Sequence, residues 1–246
     1  MQKTEYKYLS SLIQEIKEIV PLNEGIFVIG NSNSNSLTKE LIYINDIDGW
    51  LRNVNYIIEQ INKSGEIVLE ILNKQEERTH SFWGIEDREA YYYIENIMFR
   101  LTILWDILAQ LANDVFEIKE PIDDIHYKTF FKRHSNQSKS NEEIYKIAKE
   151  IREYLDENEG DKTEHPWKGN HKYVNNLRNS FTHRLNPHLV NFHNGIFNRK
   201  VNEKSGITLP TSPLYELKRI LEDYVQVYKF VFKLRKDFVK KVKLVE

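Results

Sequence analysis

Between Glu86 and Phe116 the apolar residues Tyr91, Ile94, Ile97, Met98, Leu101, Leu104, Trp105, Leu108 and Leu111 fall three or four positions apart and leave little of a helical surface polar. A helix this apolar is stable only when other elements enclose it, so the segment predicts a buried central helix and an all-α bundle around it. Tyr6, Leu9, Leu12, Ile13, Ile16, Ile19 and Val20 predict a first helix stopped by Pro21. Ile47, Leu51, Val54, Ile58, Ile61, Val68 and Leu72 keep helical spacing across Gly65, as one long helix or as two broken near Ser64 and Gly65.

Further along, Ile125 to Arg133 reads as a short helix, and its adjacent Phe130 and Phe131 are read first as packing residues and only second as a platform for stacked bases. Asn141-Glu142-Glu143 opens a helix with Ile144, Ile147, Ile151 and Leu155 on its inner face and Gly160 at its end. Ser212 as N-cap and Pro213 as first helical residue open the last helix, which runs through Leu217, Leu221, Tyr224, Val227, Tyr228, Val231, Leu234, Phe238 and Val239. Its basic end, Lys236 to Lys243, is read first as complementing the helix dipole and only second as an RNA contact.

Two stretches read as non-helical. Gly25 to Gly30 suggests a short strand or buried loop, followed by the polar run Asn31 to Ser36. Asn194-Gly195, between Val190-Asn191-Phe192 and Ile196-Phe197, fits a type I′ hairpin turn. The expected layout is one helical domain over residues 1–246: an N-terminal helix and extension over 1–45, then a helical core over 46–246 with a small β-hairpin late in the chain.

With 246 residues and 40% hydrophobic content the chain can bury a full core. It has no cysteine, which removes disulfides, thiolate zinc sites and cysteine nucleophiles and leans toward a reducing compartment. The opening residues show no signal pattern and no stretch stays uncharged for the length of a membrane span, so a cytoplasmic location with no membrane contact is expected. The histidines show neither helical i,i+4 pairing nor cysteine company, so neither a metal nor another cofactor is expected.

Net charge is only -2, yet no acid occurs from His165 through Asn202, while Lys168, Lys172, Arg178, Arg184, Arg199 and Lys200 all lie there. That segregation suggests a groove for a phosphate backbone, with Lys168, Lys172 and Arg184 as RNA contacts. Within it, Leu177-Arg178-Asn179-Ser180-Phe181-Thr182-His183-Arg184-Leu185-Asn186-Pro187 closes a helix expected at about 170–185. Arg178 offers a permanently charged planar fork suited to phosphate oxygens, and His183 a group able to exchange a proton near neutrality. The pair suggests cleavage of a phosphodiester in RNA. His183 would take a proton from a ribose 2′-OH, the oxygen would attack phosphorus, and a 2′,3′-cyclic phosphate would result without a metal. Arg178 would hold the non-bridging oxygens, and Asn179, one turn before His183, would orient the imidazole or bond the phosphate.

The segment resembles the R-N-x-x-x-H signature of the HEPN superfamily, small all-helical domains found in prokaryotic toxins, CRISPR-associated ribonucleases and RNA-processing enzymes. The resemblance, detailed over the motif helix and looser over the helical layout, implies a prokaryotic subfamily of that group. It further implies a HEPN-type endoribonuclease of a toxin or defence system that works as a homodimer, two motifs facing one cleft, with an antitoxin protein as partner. In a monomer, His171 or His188 would have to supply the general acid. In some HEPN toxins a tyrosine two places after the histidine is modified by a partner enzyme; Leu185 stands there in this chain, which argues against that control. The competing reading is a catalytically silent HEPN-like module that binds RNA, a nucleotide or a protein.

Glu95, Thr102, Asp106 and Asn113 form a narrow polar stripe on the central helix. Carboxylates there need partners, so Glu95 and Asp106 are expected either to pair structurally or to support the motif, with Thr182 as an accessory. One geometric constraint is visible in advance: residues five apart on a regular helix point about 140° away from one another. Arg178 and His183 therefore converge only if the helix unwinds near Thr182 or if both flank a groove.

Overall fold

The computed structural model describes residues 3–18, 22, 39–76, 85–136, 142–160, 165–183, 188, 191–193, 206–208 and 211–243. Among them are seven α-helices: α1 (Lys3–Lys17), α2 (Lys39–Glu76), α3 (Ile85–Val115), α4 (Tyr127–His134), α5 (Glu142–Leu155), α6 (Asn170–His183) and α7 (Pro213–Lys243). Two short strands, β1 (Asn191–His193) and β2 (Gly206–Thr208), follow α6. The architecture is an all-α bundle with a two-stranded ribbon.

The central helix is α3, which packs against α2, α4, α6 and α7. Ile94, Ile97, Met98, Leu101, Leu104, Trp105, Leu108 and Leu111 are all buried, as the density of apolar residues requires. Helix α2 runs unbroken through Gly65, because the glycine makes room rather than a break: a Cβ there would lie 2.8 Å from Cδ1 of Ile13 on α1. Helix α1 seats Leu9, Leu12, Ile13 and Ile16 against α2 and α7 and ends at Lys17, short of Pro21. Ile19, Val20 and the stretch from Gly25 to Ser36 lie outside the described residues.

Helix ends differ from expectation at α4, which opens at Tyr127 rather than Ile125, and at α5. Helix α5 stops at Leu155, five residues before Gly160, where the amide of Asp156 bonds the Arg152 carbonyl in a closing turn. Phe130 and Phe131 of α4 are 1% and 0% exposed, so they belong to the core and offer no face to a base. At the start of α7 the amide of Tyr215 donates to Oγ of Ser212, the N-cap read from the sequence. The ribbon is not the tight hairpin expected at Asn194-Gly195: Phe192 pairs with Ile207 in an antiparallel register, so the partner strand lies beyond Ile196-Phe197. The turn residues themselves lie outside the described set.

Candidate active site

Helix α6 carries the motif and is fixed at its start. Gly169 holds φ +73, and a Cβ there would strike the backbone nitrogen of Glu159 at 2.7 Å, so only glycine allows the chain to enter the helix this way. The Gly169 amide donates to Oε2 of Glu157, and Glu222 of α7 accepts from the Trp167 amide at 2.9 Å and from Nδ2 of Asn170 at 2.9 Å. The next residue, His171, is buried, with Nδ1 3.3 Å from Oδ2 of Asp223 and Nε2 3.0 Å from the Tyr127 hydroxyl. Asp223 is itself fully buried and also accepts from the Trp105 indole and the Tyr154 hydroxyl. These bonds tie α6 to α3, α4, α5 and α7, and fix its rotation about its own axis.

That rotation decides where the motif points. Arg178 lies seven residues after His171, on nearly the same face, and is half-buried. Its Nη1 donates to Oδ1 of Asn179 at 2.9 Å, and it makes no ion pair with a carboxylate among the described residues. The charges around it come from α3 and α4. Burial raises the pKa of Asp106, while the Tyr127 amide at 3.4 Å and the charges of His126 and Arg178 act to lower it. Lys128 is pushed the other way: burial first, then the charge of Arg178, lowers its pKa. Arg178 and Lys128 thus lie within electrostatic reach of each other, with Asp106 acting near Arg178 and Asp156 and Asp223 partly offsetting the effect on Lys128.

The helix stays regular through His183 and does not unwind near Thr182. Thr182 is exposed and its hydroxyl lies 3.4 Å from the Arg178 carbonyl and 3.3 Å from that of Asn179, so it serves the helix backbone. Arg178 and His183 therefore sit about 140° apart around α6. Asn179 and His183, four apart, share a face, and the Arg178–Asn179 bond draws the guanidinium toward it. Lys172, eleven residues before His183, is on that same face about 16 Å along the helix; it is exposed, and its Nζ bonds Oδ1 of Asn158. Lys168 is exposed just before the helix, while Arg184 lies outside the described residues.

Several expectations need correction. Of the two roles expected for Glu95, the described residues show the pairing one: its Oε1 lies 3.0 Å from Nδ1 of His188. His171 and His188 are 3% and 8% exposed and are held by carboxylates, so neither is placed to supply a proton to a substrate. The acid-free stretch of sequence is not acid-free in space, because α3 and α7 bring Glu95, Asp106, Glu216, Glu222 and Asp223 to it. Sequence reasoning missed Lys128 as a neighbour of Arg178, and it missed the buried charges of α7. A signal existed for the latter: Glu216, Lys218, Arg219, Glu222 and Asp223 crowd one segment of a helix otherwise rich in apolar residues.

No curated protein and no solved structure matches the chain. A family model, Cthe2314-like HEPN, matches residues 50–243 and so takes in most of α2 and everything from α3 to α7, the motif helix included. The chain belongs to the Cthe2314-like HEPN family.

Proposed function

We propose that the protein is a metal-independent endoribonuclease of HEPN type, acting in the cytoplasm as part of a toxin or defence system, with residues 1–246 working as one helical domain. The observation that carries this reading is the setting of Arg178: a half-buried guanidinium with Asn179 bonded to it, Lys128 within electrostatic reach, and no carboxylate in an ion pair with it among the described residues. A phosphate would relieve the repulsion between the two cations, and a non-bridging oxygen suits the guanidinium fork. His183, on the face that Asn179 shares, removes the proton of a ribose 2′-OH. The oxygen then bonds to the adjacent phosphorus, the P–O5′ bond breaks, and the O5′ takes up a proton, leaving a 2′,3′-cyclic phosphate and a 5′-OH.

The 140° between Arg178 and His183 favours a twofold homodimer, in which the arginine of one copy and the histidine of the other face one cleft and one imidazole is base while its twin is acid. An apolar stripe supports that assembly. Tyr92, Phe99 and Ile103 on α3 are 63%, 39% and 50% exposed, share one helical face, and adjoin α6 through the Phe99–Phe181 ring contact. The same angle favours the second reading, a silent RNA-binding module, if the chain acts alone. Incubation of wild type, His183→Ala and Arg178→Ala with end-labelled RNA in excess chelator separates the two. The nuclease gives cyclic phosphate ends that both variants lose; binding without cleavage supports the silent module and refutes the nuclease.

A further inference from the structure

His188 stands five residues beyond His183, where the chain leaving α6 is pinned back to the bundle. Its ring stacks on Tyr91 of α3 with centroids 3.9 Å apart and meets the edge of Phe181 of α6 at 4.8 Å. Nδ1 lies 3.0 Å from Oε1 of Glu95 on α3, and Nε2 lies 2.7 Å from Oε2 of Glu216 on α7. A neutral imidazole has one N–H and one lone pair. Between two ionised carboxylates, one of those contacts would set a lone pair against an oxyanion. Both contacts are hydrogen bonds only when the three groups share one further proton.

The surroundings favour keeping it. Glu216 is almost fully buried, and among the described residues its Oε1 has no hydrogen-bond partner and no lysine or arginine pairs with Glu95 or Glu216. Among those residues the groups facing the ring are Tyr91 and Glu95 from α3, Phe181 from α6 and Glu216 from α7, with Tyr173 of α6 near Glu216. Burial is the largest influence on His188 and opposes its charge, but the bonds to Glu216 and Glu95 outweigh it and raise its pKa above 6.5. Burial raises that of Glu216 as well.

We propose that Glu95, His188 and Glu216 form a proton-dependent clamp that positions the last turn of α6, and with it His183, and that releases this turn as pH rises. Phe181 carries the constraint directly into that turn, and the short connection from His183 limits how far the two histidines can separate. A histidine with a raised pKa in the fold contributes stability that is complete below its unfolded pKa of 6.5 and is lost as pH climbs through the folded value. His188 is thus a positioning residue. Its effect on RNA cleavage rests on the nuclease reading above, whereas the clamp itself does not.

Backbone amide exchange of the full chain between pH 6 and 9 tests the clamp. In wild type the protection factors of the Phe181 to His183 amides fall about tenfold or more across that range, the usual worth of hydrogen bonds to charged groups. Glu216→Gln abolishes the fall: the new side-chain amide donates an N–H to Nε2 while Nδ1–H donates to Glu95, so a neutral ring satisfies both contacts. His188→Ala lacks this protection already at pH 6. Equal pH dependence in wild type and Glu216→Gln, or flat protection in wild type, overturns the clamp, and this comparison decides even where His188→Ala fails to fold. Under the nuclease reading, Glu216→Gln also extends cleavage to higher pH. The expected protection pattern in a wild type that cleaves no RNA supports the clamp and refutes the nuclease.

Discussion

At the scale of single residues, the site depends on an imbalance of charge that few side chains create. Arg178 and Lys128 lie within electrostatic reach of each other, and Asp106, Asp156 and Asp223 act against their charges. Truncation of Arg178 or His183 to alanine is expected to lower cleavage by about a hundred- to ten-thousandfold, the range for one acid-base or charge-stabilising group, measured as single-turnover rates. Lys128→Ala has a different signature. It weakens RNA binding across sequences and reduces the slope of log affinity against log salt by about 1, the mark of a lost phosphate contact, with a smaller effect on the bound rate. An unchanged salt slope would remove Lys128 from the interface. The sequence exposes Arg178, Asn179 and His183 because their chemistry is written into one helix. It cannot expose Lys128, since the proximity of α4 to α6 is a tertiary fact and Lys128 is simply one base among several around Phe130 and Phe131. Nor can it show that Glu95 meets His188 across the bundle.

Helix α6 shows how an element can be polar in sequence yet fixed in rotation. Asp223 accepts from Trp105, Tyr154 and His171, so Asp223→Ala leaves several buried donors unmatched and is expected to cost about 3–5 kcal/mol, measured by denaturant unfolding. Loss of cleavage in that variant, at a temperature where it is still folded, would follow from α6 turning its motif away. The junction of α1 and α2 makes a milder case. Gly65→Leu overfills the contact with Ile13 and costs about 1–3 kcal/mol. Gly65→Ala, with a helix-propensity gain of about 1 kcal/mol set against a smaller clash, ends close to zero. Helix existence is legible throughout because apolar residues at three-four spacing report burial on one face. Helix ends and the ribbon are less so: α5 closes on its own backbone before Gly160, and Phe192 finds its partner at Ile207 beyond the apparent turn. The polar first turns of α7 are opaque for a related reason, since period alone does not show that a charge is buried against another charge.

For the whole molecule, α3 links stability to assembly. One side fills the core, and another leaves Tyr92, Phe99 and Ile103 in solvent beside α6. Phe99→Glu with Ile103→Glu is expected to leave the monomer folded, shift sedimentation from dimer to monomer, and lower cleavage with it; a dimer that survives both changes would place the twofold contact elsewhere. No helix among the described residues is long and apolar enough to cross a membrane. The central claim concerns the ribose oxygen, and the most direct measurement uses an RNA with one mapped cleavage site whose 5′-side nucleotide is replaced by its 2′-deoxy counterpart. Attack by the 2′-OH predicts that this bond alone becomes resistant, while neighbouring bonds and RNA affinity stay as they were. Undiminished cleavage at the deoxy position would contradict it.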